Sequence, residues 1–488
     1  MIGHTLATLL TSIAAEPPPL EGPAESAPDA SALAPQTDTQ PPAGAEASVE
    51  APSPPSLDDV KRAALEDLEP GERMSLAQCL QAARRSSPDL AIASEAINAA
   101  GAERKSARGR FGPALVLDSS VQVWAQEVTV DFSPPGLMLD VDPVVVQDQV
   151  TSRTSVSLVQ PLAGLWAIRN AHRAATIGAK AATVSRKATE QDLDLAVALA
   201  YYDALKTEQL VAVSALRIAT IESLLERVEA FEAAGVVGRD QVLETEVSLA
   251  QGRSALIDAK AAMTLARANL AFHMGMPVDA DIGPSLIEPH AAAGSGAQDR
   301  ATPSSPRPDL EALRLRAEQA RFARKLAVSS LLPQLNAVAS YQRTDGQSFA
   351  RNDQFFVGLT LNWTAWDWGA TAYQIPRARA QERQARLAVD KAERGVALEV
   401  IAARTQLRSA RQRYAQAKVA VTAAEENLRL VRARFDAAAA TSTQVLDAVT
   451  RKAVAESTQA TTYYDILKAS AAHRKAMGRP VDTKAGQS

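Results

Sequence analysis

Few residues in this 488-residue chain could do covalent or metal chemistry. The five histidines, His4, His172, His273, His290 and His473, are scattered without ligand spacing and read as unrelated surface or helix-end residues. A single cysteine, Cys79, excludes an intramolecular disulfide, a CxxC motif and a cysteine-built zinc cluster. No nucleophile–base set, P-loop or metal cluster can be assembled, so neither an enzyme nor a cofactor is expected. A net charge of -4 with mixed signs leaves no nucleic-acid footprint. The informative side chains are the five tryptophans: Trp124, Trp166, Trp363, Trp366 and Trp368. All lie in or beside segments of period-two alternation, where an indole ring suits the headgroup level of a bilayer.

The elements that position these segments are long helices. Val400, Leu407, Tyr414, Val421, Leu428 and Phe435 recur every seven residues. A second row, Val396, Ala403, Ala410, Ala417, Ala424 and Val431, sits four residues earlier each time. Two such rows make a narrow apolar seam, and its small residues let another helix axis approach closely. Subtracting 203 gives a second seam: Val197, Ala204, Val211, Ile218 and Leu225, with Leu193, Ala200, Thr207, Ser214, Ile221 and Val228. Gln241-Val242-Leu243 and Gln444-Val445-Leu446 follow at matching distances. The chain is an internal duplication of a long-helix unit.

Residues 1–15 hold a short apolar run that resembles a signal peptide without a Lys/Arg n-region. Residues 16–72 form a Pro/Ala-rich linker, with eleven prolines between positions 16 and 56. Such a composition cannot offset its ordering entropy and is expected to be disordered. The first repeat is expected over 73–277, with strands at about 114–130 and 150–162, a long helix at about 163–233 and a return helix at about 240–274. An inserted loop at the hairpin tip is expected near Val130 to Gln147. Residues 278–306 form an inter-repeat linker. The second repeat is expected over 307–480, with strands at about 334–347 and 354–364, a long helix at about 370–437 and a return helix at about 442–477; 481–488 is a tail. Helices of ~70 residues reach ~105 Å.

Leu115, Leu117, Val121 and Val123 oppose Asp118, Ser120 and Gln122; Phe355, Val357, Leu359, Leu361 and Trp363 oppose Gly358, Thr360 and Asn362. No run of 18 apolar residues encodes a membrane helix, which says nothing against a strand barrel. Four strands with one apolar face cannot close a barrel alone, because about eight is the smallest useful number. The face could be buried in a soluble core, but the helices between strands are too long to fold back over it. Closure then requires copies of the chain, and three give twelve strands with a lumen.

Order, spacing and duplication together resemble the TolC-type outer-membrane efflux protein family over about residues 73–478. The pieces are Met74 to Leu80 with Ser87-Pro88-Asp89-Leu90, the strand entries at Gly112 to Leu115 and Leu332 to Leu335, Ser157 to Leu162, Phe231 to Leu243, and Phe435 to Asp447. The resemblance implies a mostly α fold with a four-strand contribution per chain. It implies a homotrimer forming an outer-membrane β-barrel in outer-membrane lipid, continued by a periplasmic α-helical barrel. Such a protein is a passive exit duct of a tripartite pump or type I secretion system, with an inner-membrane transporter and a periplasmic adaptor (membrane fusion) protein as partners. It places Asp447, Gln444, Glu244 and Phe435 at a periplasmic aperture, and Gly235, Val236, Val237, Gly238, Ala440 and Thr441 at adaptor-facing turns. A periplasmic coiled-coil scaffold without conductance is the competing reading.

Overall fold

A computed structural model describes residues 72–130, 144–280, 282–284, 306–347 and 351–481. The expected leader, all but the last residue of the Pro-rich segment, and most of the inter-repeat linker and tail lie outside the described residues. Every described residue belongs to one unit of the chain, Pro54–Ser488.

Strand β1 (Glu72–Met74) leads into α1 (Leu76–Ser86). Ser75 caps α1 as its sequence suggests: the hydroxyl accepts from the Gln78 amide at 3.4 Å, and Gln78 Oε1 accepts from the Ser75 amide at 2.8 Å. Pro88 opens α2 (Pro88–Gly109), where its missing N–H costs nothing. The first hairpin follows as β2 (Ala114–Val123), β3 (Val128–Val130) and β4 (Val144–Ala163). Then come α3 (Leu165–Ala233), α4 (Arg239–His273) and β5 (Ile282–Pro284), which pairs in parallel with β1. The second repeat runs α5 (Pro308–Ser329), β6 (Gln334–Gln347), β7 (Asp353–Asn362), α6 (Gln374–Asp436) and α7 (Ser442–Ala476).

The sheet is antiparallel in the order β2-β4-β6-β7, with β3 also on β4. Two local expectations need correction. The first strand does not continue to 130; it breaks after Val123 and resumes as β3, with a register shift between Val128 and Thr129. The second strand begins at Val144, and its residues Val144, Val145 and Gln147 pair with β3. The two ends of the expected tip loop, Val130 and Val144 to Gln147, are therefore ladder, and residues 131–143 lie outside the described residues. Val144-Val145-Val146 has no alternation, so period two could not reveal it. Likewise α6 starts at Gln374 rather than Ala370. The Asp367 carboxylate accepts from the Gly369 and Thr371 amides at 3.1 and 2.8 Å and holds a turn there, with Trp368 at φ 54°.

Both seams are buried. On α6, Val396, Val400, Ala403, Leu407, Ala410, Ala417, Val421, Leu428 and Phe435 leave solvent; on α3 so do Leu193, Val197, Ala200, Ala204, Val211, Ile218, Ile221 and Val228. The α6 seam packs along α7, and α3 packs along α4 and α7. The core is thus a string of clusters along the helices. One joins α1, α3, the end of α4 and α7 around Cys79, Leu80, Tyr201, Leu270 and Leu467. Another joins the distal ends around Ile221, Val228, Val242, Phe435 and Val445. Burying each large aliphatic side chain contributes about 1.5–3 kcal/mol, so the seams decide the fold. Burial pushes the Cys79 thiol up to about 12, leaving a protonated packing group rather than a nucleophile.

Candidate functional site: sheet surfaces and helical tips

The ladder aligns side chains in cross-strand rows. On one face Leu115, Leu158, Ala339 and Val357 form a row; Leu117, Val156, Tyr341 and Phe355 form the next. Beyond these lies the row Ser119, Thr154, Arg343 and Asp353. There Arg343 pairs with Asp345 at 3.1 Å, and the Tyr341 hydroxyl donates to Asp353 at 2.6 Å. The apolar band is therefore interrupted by a polar row, beyond which Val121 and Val123 continue it on β2. Leu115, Leu117, Val121, Val123, Phe355, Val357, Leu359 and Leu361 are 63–73% exposed, so nothing among the described residues covers them. The opposite face carries Asp118, Ser120, Gln122, Arg153, Ser155, Gln342 and Gln354, and the Ser157 and Ser340 hydroxyls meet at 2.8 Å. β2 and β7 are the sheet edges, each paired on one side only. Three antiparallel steps separate them, so the free edges run in opposite directions.

Four tryptophans gather where the strands meet the helices. Trp363 ends the apolar stripe of β7, Trp366 and Trp368 stack edge-on at 5.8 Å, and Trp166 opens α3. Trp124 departs from the expected belt. Its indole N–H donates to the Thr151 hydroxyl at 3.0 Å, and Thr151 opposes Gln122, which puts the ring on the polar face. Its parity with Gln122 was the available signal.

At the far ends of the long helices the two repeats meet. Both α3 and α6 end in the same motif. The Val236 amide reaches the Phe231 carbonyl at 2.8 Å around Gly235 (φ 72°), and the Ala439 amide reaches the Arg434 carbonyl at 2.8 Å around Ala438 (φ 54°). The left-handed residue is glycine in one copy and alanine in the other, 203 positions on. A Cβ at Gly235 would meet nothing within 4 Å, so its cost is purely conformational. Gly235→Ala should destabilise by about 1 kcal/mol, while Ala438→Gly should leave stability unchanged or raise it by up to about 1 kcal/mol. Thermal unfolding of the two variants side by side checks the opposite signs.

Of the expected aperture residues, the Asp447 side chain is 67% exposed, and its one ion pair among the described residues is with Arg451 at 4.0 Å. Glu244 accepts from the Thr443 hydroxyl at 2.6 Å, a bond between repeats. Gln444 is occupied locally, capping α7 with Thr441 at 3.4 Å in each direction, whereas its counterpart Gln241 accepts from the Ser442 amide of the other repeat at 3.2 Å. Phe435 is a correction. It is buried against Phe231, ring centres 5.4 Å apart, so within the chain its ring packs the tip rather than facing solvent. Its place in the seven-residue row already explained it. Among the turn residues, Val236 is 53% exposed and Gly235 and Gly238 are exposed, while Val237 is half-buried against the tip cluster. Ala440 and Thr441 line a shallow cleft with Val236, Val237, Phe231 and Gln444 between the repeats. The sequence pattern missed Arg227, which pairs with Asp436 at 2.7 Å and ties α3 to the end of α6.

Midway along the helices, burial alone would raise the Asp203 pKa, but hydrogen bonds from Lys206 and Lys468 hold it below the usual carboxylate range. The pair fastens α3 to α7. Burial, and then the charges of Arg479, Arg404 and Arg411, hold His473 below the usual imidazole range.

The model of the outer membrane efflux protein family matches residues 79–276 and 305–479, one segment for each repeat. The chain belongs to that family. It is thus an outer-membrane efflux channel protein with a periplasmic helical portion, not an enzyme. Solved structures share the fold at low identity. The outer membrane protein VceC from Vibrio cholerae is 18% identical, covering 83% of this chain and 97% of its own, with a TM-score of 0.67. The Campylobacter jejuni CmeC outer membrane channel is 13% identical, covering 91% and 92%, with a TM-score of 0.69. The open state of the Neisseria gonorrhoeae MtrE outer membrane channel is 18% identical, covering 84% and 91%, with a TM-score of 0.65. No curated protein sequence matches the chain.

Proposed function

We propose that three copies of this chain form the outer-membrane exit duct of a tripartite efflux pump or a type I secretion system. An inner-membrane transporter supplies the energy and a periplasmic adaptor docks on the helical tips. The observation that carries this reading is the sheet itself: four alternating strands, one uncovered apolar face, and two free edges of opposite direction. Edge β7 of one copy can extend the ladder of edge β2 in the next as an antiparallel pair, so a ring leaves no unpaired backbone in lipid. Three copies give about twelve strands, wide enough for a lumen lined by the polar face. Solutes pass down their gradient, and the chain's own contribution is a wall and a constriction.

At that constriction Asp447 is the best candidate, because it is exposed beside the turn and weakly partnered within its own chain. Three copies would form a carboxylate ring that concentrates cations. In planar bilayers the purified protein should conduct, and divalent cations should block it. Asp447→Ala should weaken that block about tenfold, the equivalent of about 1.4 kcal/mol. Unchanged block would remove Asp447 from the aperture; absence of any conductance would favour the closed scaffold.

A further inference from the structure

A groove of about 880 Å³ between the end of α2 and the start of α3 is lined by Arg104, Lys105, Arg108, Arg169, His172 and Arg173. Among the described residues none of its five Lys and Arg side chains forms an ion pair. The other repeat handles the same position differently. At an offset of 220, Arg104-Lys105 becomes Arg324-Lys325. There Arg324 is neutralised by buried Glu382 at 2.6 Å, and Lys325 sits 4.8 Å over the Phe322 ring. In the first repeat Arg173 reaches the same Phe322 ring, 5.9 Å from its centre, while Arg104, Lys105, Arg108 and Arg169 are left to an outside group.

We propose that this groove binds the phosphate of an anionic phospholipid headgroup in the periplasmic leaflet of the outer membrane. Its position argues for lipid. On α3, Leu165, Arg169, His172 and Thr176 form one stripe, with Trp166 and Arg173 beside it. Leu165 and Trp166 are exposed at the end next to the sheet, and the cations follow one and two turns further on, ~5–12 Å along the axis. On α2 the order is the same: exposed Phe111 lies nearest the sheet, with Arg108 and Arg104 one turn apart behind it. The headgroup layer is itself ~5–8 Å thick on each side of the hydrocarbon. Apolar and aromatic side chains toward the acyl region, with guanidinium groups behind them, match a phosphate above a lipid tail. Arg supplies the forked donor geometry that phosphate accepts.

The test uses the full chain in nanodiscs of phosphatidylcholine doped with phosphatidylglycerol or phosphatidylethanolamine, with retained lipid counted by mass spectrometry after delipidation. The wild type should retain phosphatidylglycerol preferentially. Arg169→Gln/Arg173→Gln should lower that retention roughly 25-fold, about fivefold for each cation removed. Arg104→Gln/Arg108→Gln, on the other wall, should act alike and serves if the first variant fails to fold. Arg169→Lys/Arg173→Lys, which keeps the charge, should retain most of it. Equal retention in wild type and Gln variants would overturn the proposal. So would displacement by millimolar inorganic phosphate, which marks a soluble-anion site, or altered ion selectivity with lipid retention intact, which places the groove on the lumen. Conductance measured on the same samples separates these outcomes from failure of the duct itself.

Discussion

Leu117→Arg should cost about 2–4 kcal/mol per chain and abolish heat-resistant assembly in vesicles, although Leu117 is 69% exposed in the single chain. The sign of this expectation depends on what covers the sheet. For an exposed leucine on a water-soluble protein, substitution by arginine stays within about 0.5 kcal/mol. Leu117 lies in the row with Val156, Tyr341 and Phe355, inside a stripe that runs on β2 from Leu115 to Val121 and Val123. In lipid a guanidinium there must either lose its hydration or drag water and headgroups to itself. The same substitution on the opposite face supplies the control. Gln122→Arg, pointing into the polar side, should leave assembly intact and alter ion selectivity, since lumen positions tolerate charge. Oligomer stability by heating and electrophoresis, with conductance on the same preparations, reads both. Equal behaviour of the two variants would mean that the apolar face does not meet lipid.

The rows that make this argument were legible in sequence only in part. In β2 and β7 the two faces differ sharply, and period two exposes them directly: Leu115, Leu117, Val121 and Val123 against Asp118, Ser120 and Gln122. In β4 the outward face also carries Ser152 and Thr154, which dilutes the alternation, and the strand's Val144-Val145-Val146 start has no alternation at all. The helices were easier because a seven-residue row survives one polar member, as Thr207 and Ser214 demonstrate. What a one-dimensional pattern lacked was contact between the copies. An offset of 203 pairs Gln241 with Gln444 as equivalents, but the fold breaks that equivalence: one reaches across to Ser442, the other caps its own helix. Arg227–Asp436 and Thr443–Glu244 likewise join residues that no repeat arithmetic relates. The Trp124 ring went to the polar face because its partner, Thr151, lies there.

Glu208 carries the second large expectation. It lies on the buried stripe of α3 between Ala204 and Val211, fully enclosed, and accepts from Arg267 of α4 at 2.7 Å. Taking a carboxylate out of water costs several kcal/mol, which the pair's attraction offsets only while both charges are present. Arg267→Ala should therefore destabilise the protein by about 3–5 kcal/mol, more than the lost contact itself, because a fully enclosed carboxylate loses its countercharge. Replacing both partners, Glu208→Met with Arg267→Met, should be neutral or stabilising by about 1–4 kcal/mol, since Val211 and Met263 already make the neighbouring contacts apolar. Denaturant unfolding of wild type, single and double variants in detergent gives the three values, and a non-additive cycle is the expected form. At an offset of 203 the corresponding position is Arg411, exposed on α6, so the second repeat dispenses with the pair. Stability alone therefore does not explain why the first repeat keeps it. If the double variant is as stable as the wild type yet conducts or assembles abnormally, the pair sets the register of α4 on α3. If the double variant is as damaged as Arg267→Ala, the cost lies in lost packing rather than in an orphaned charge.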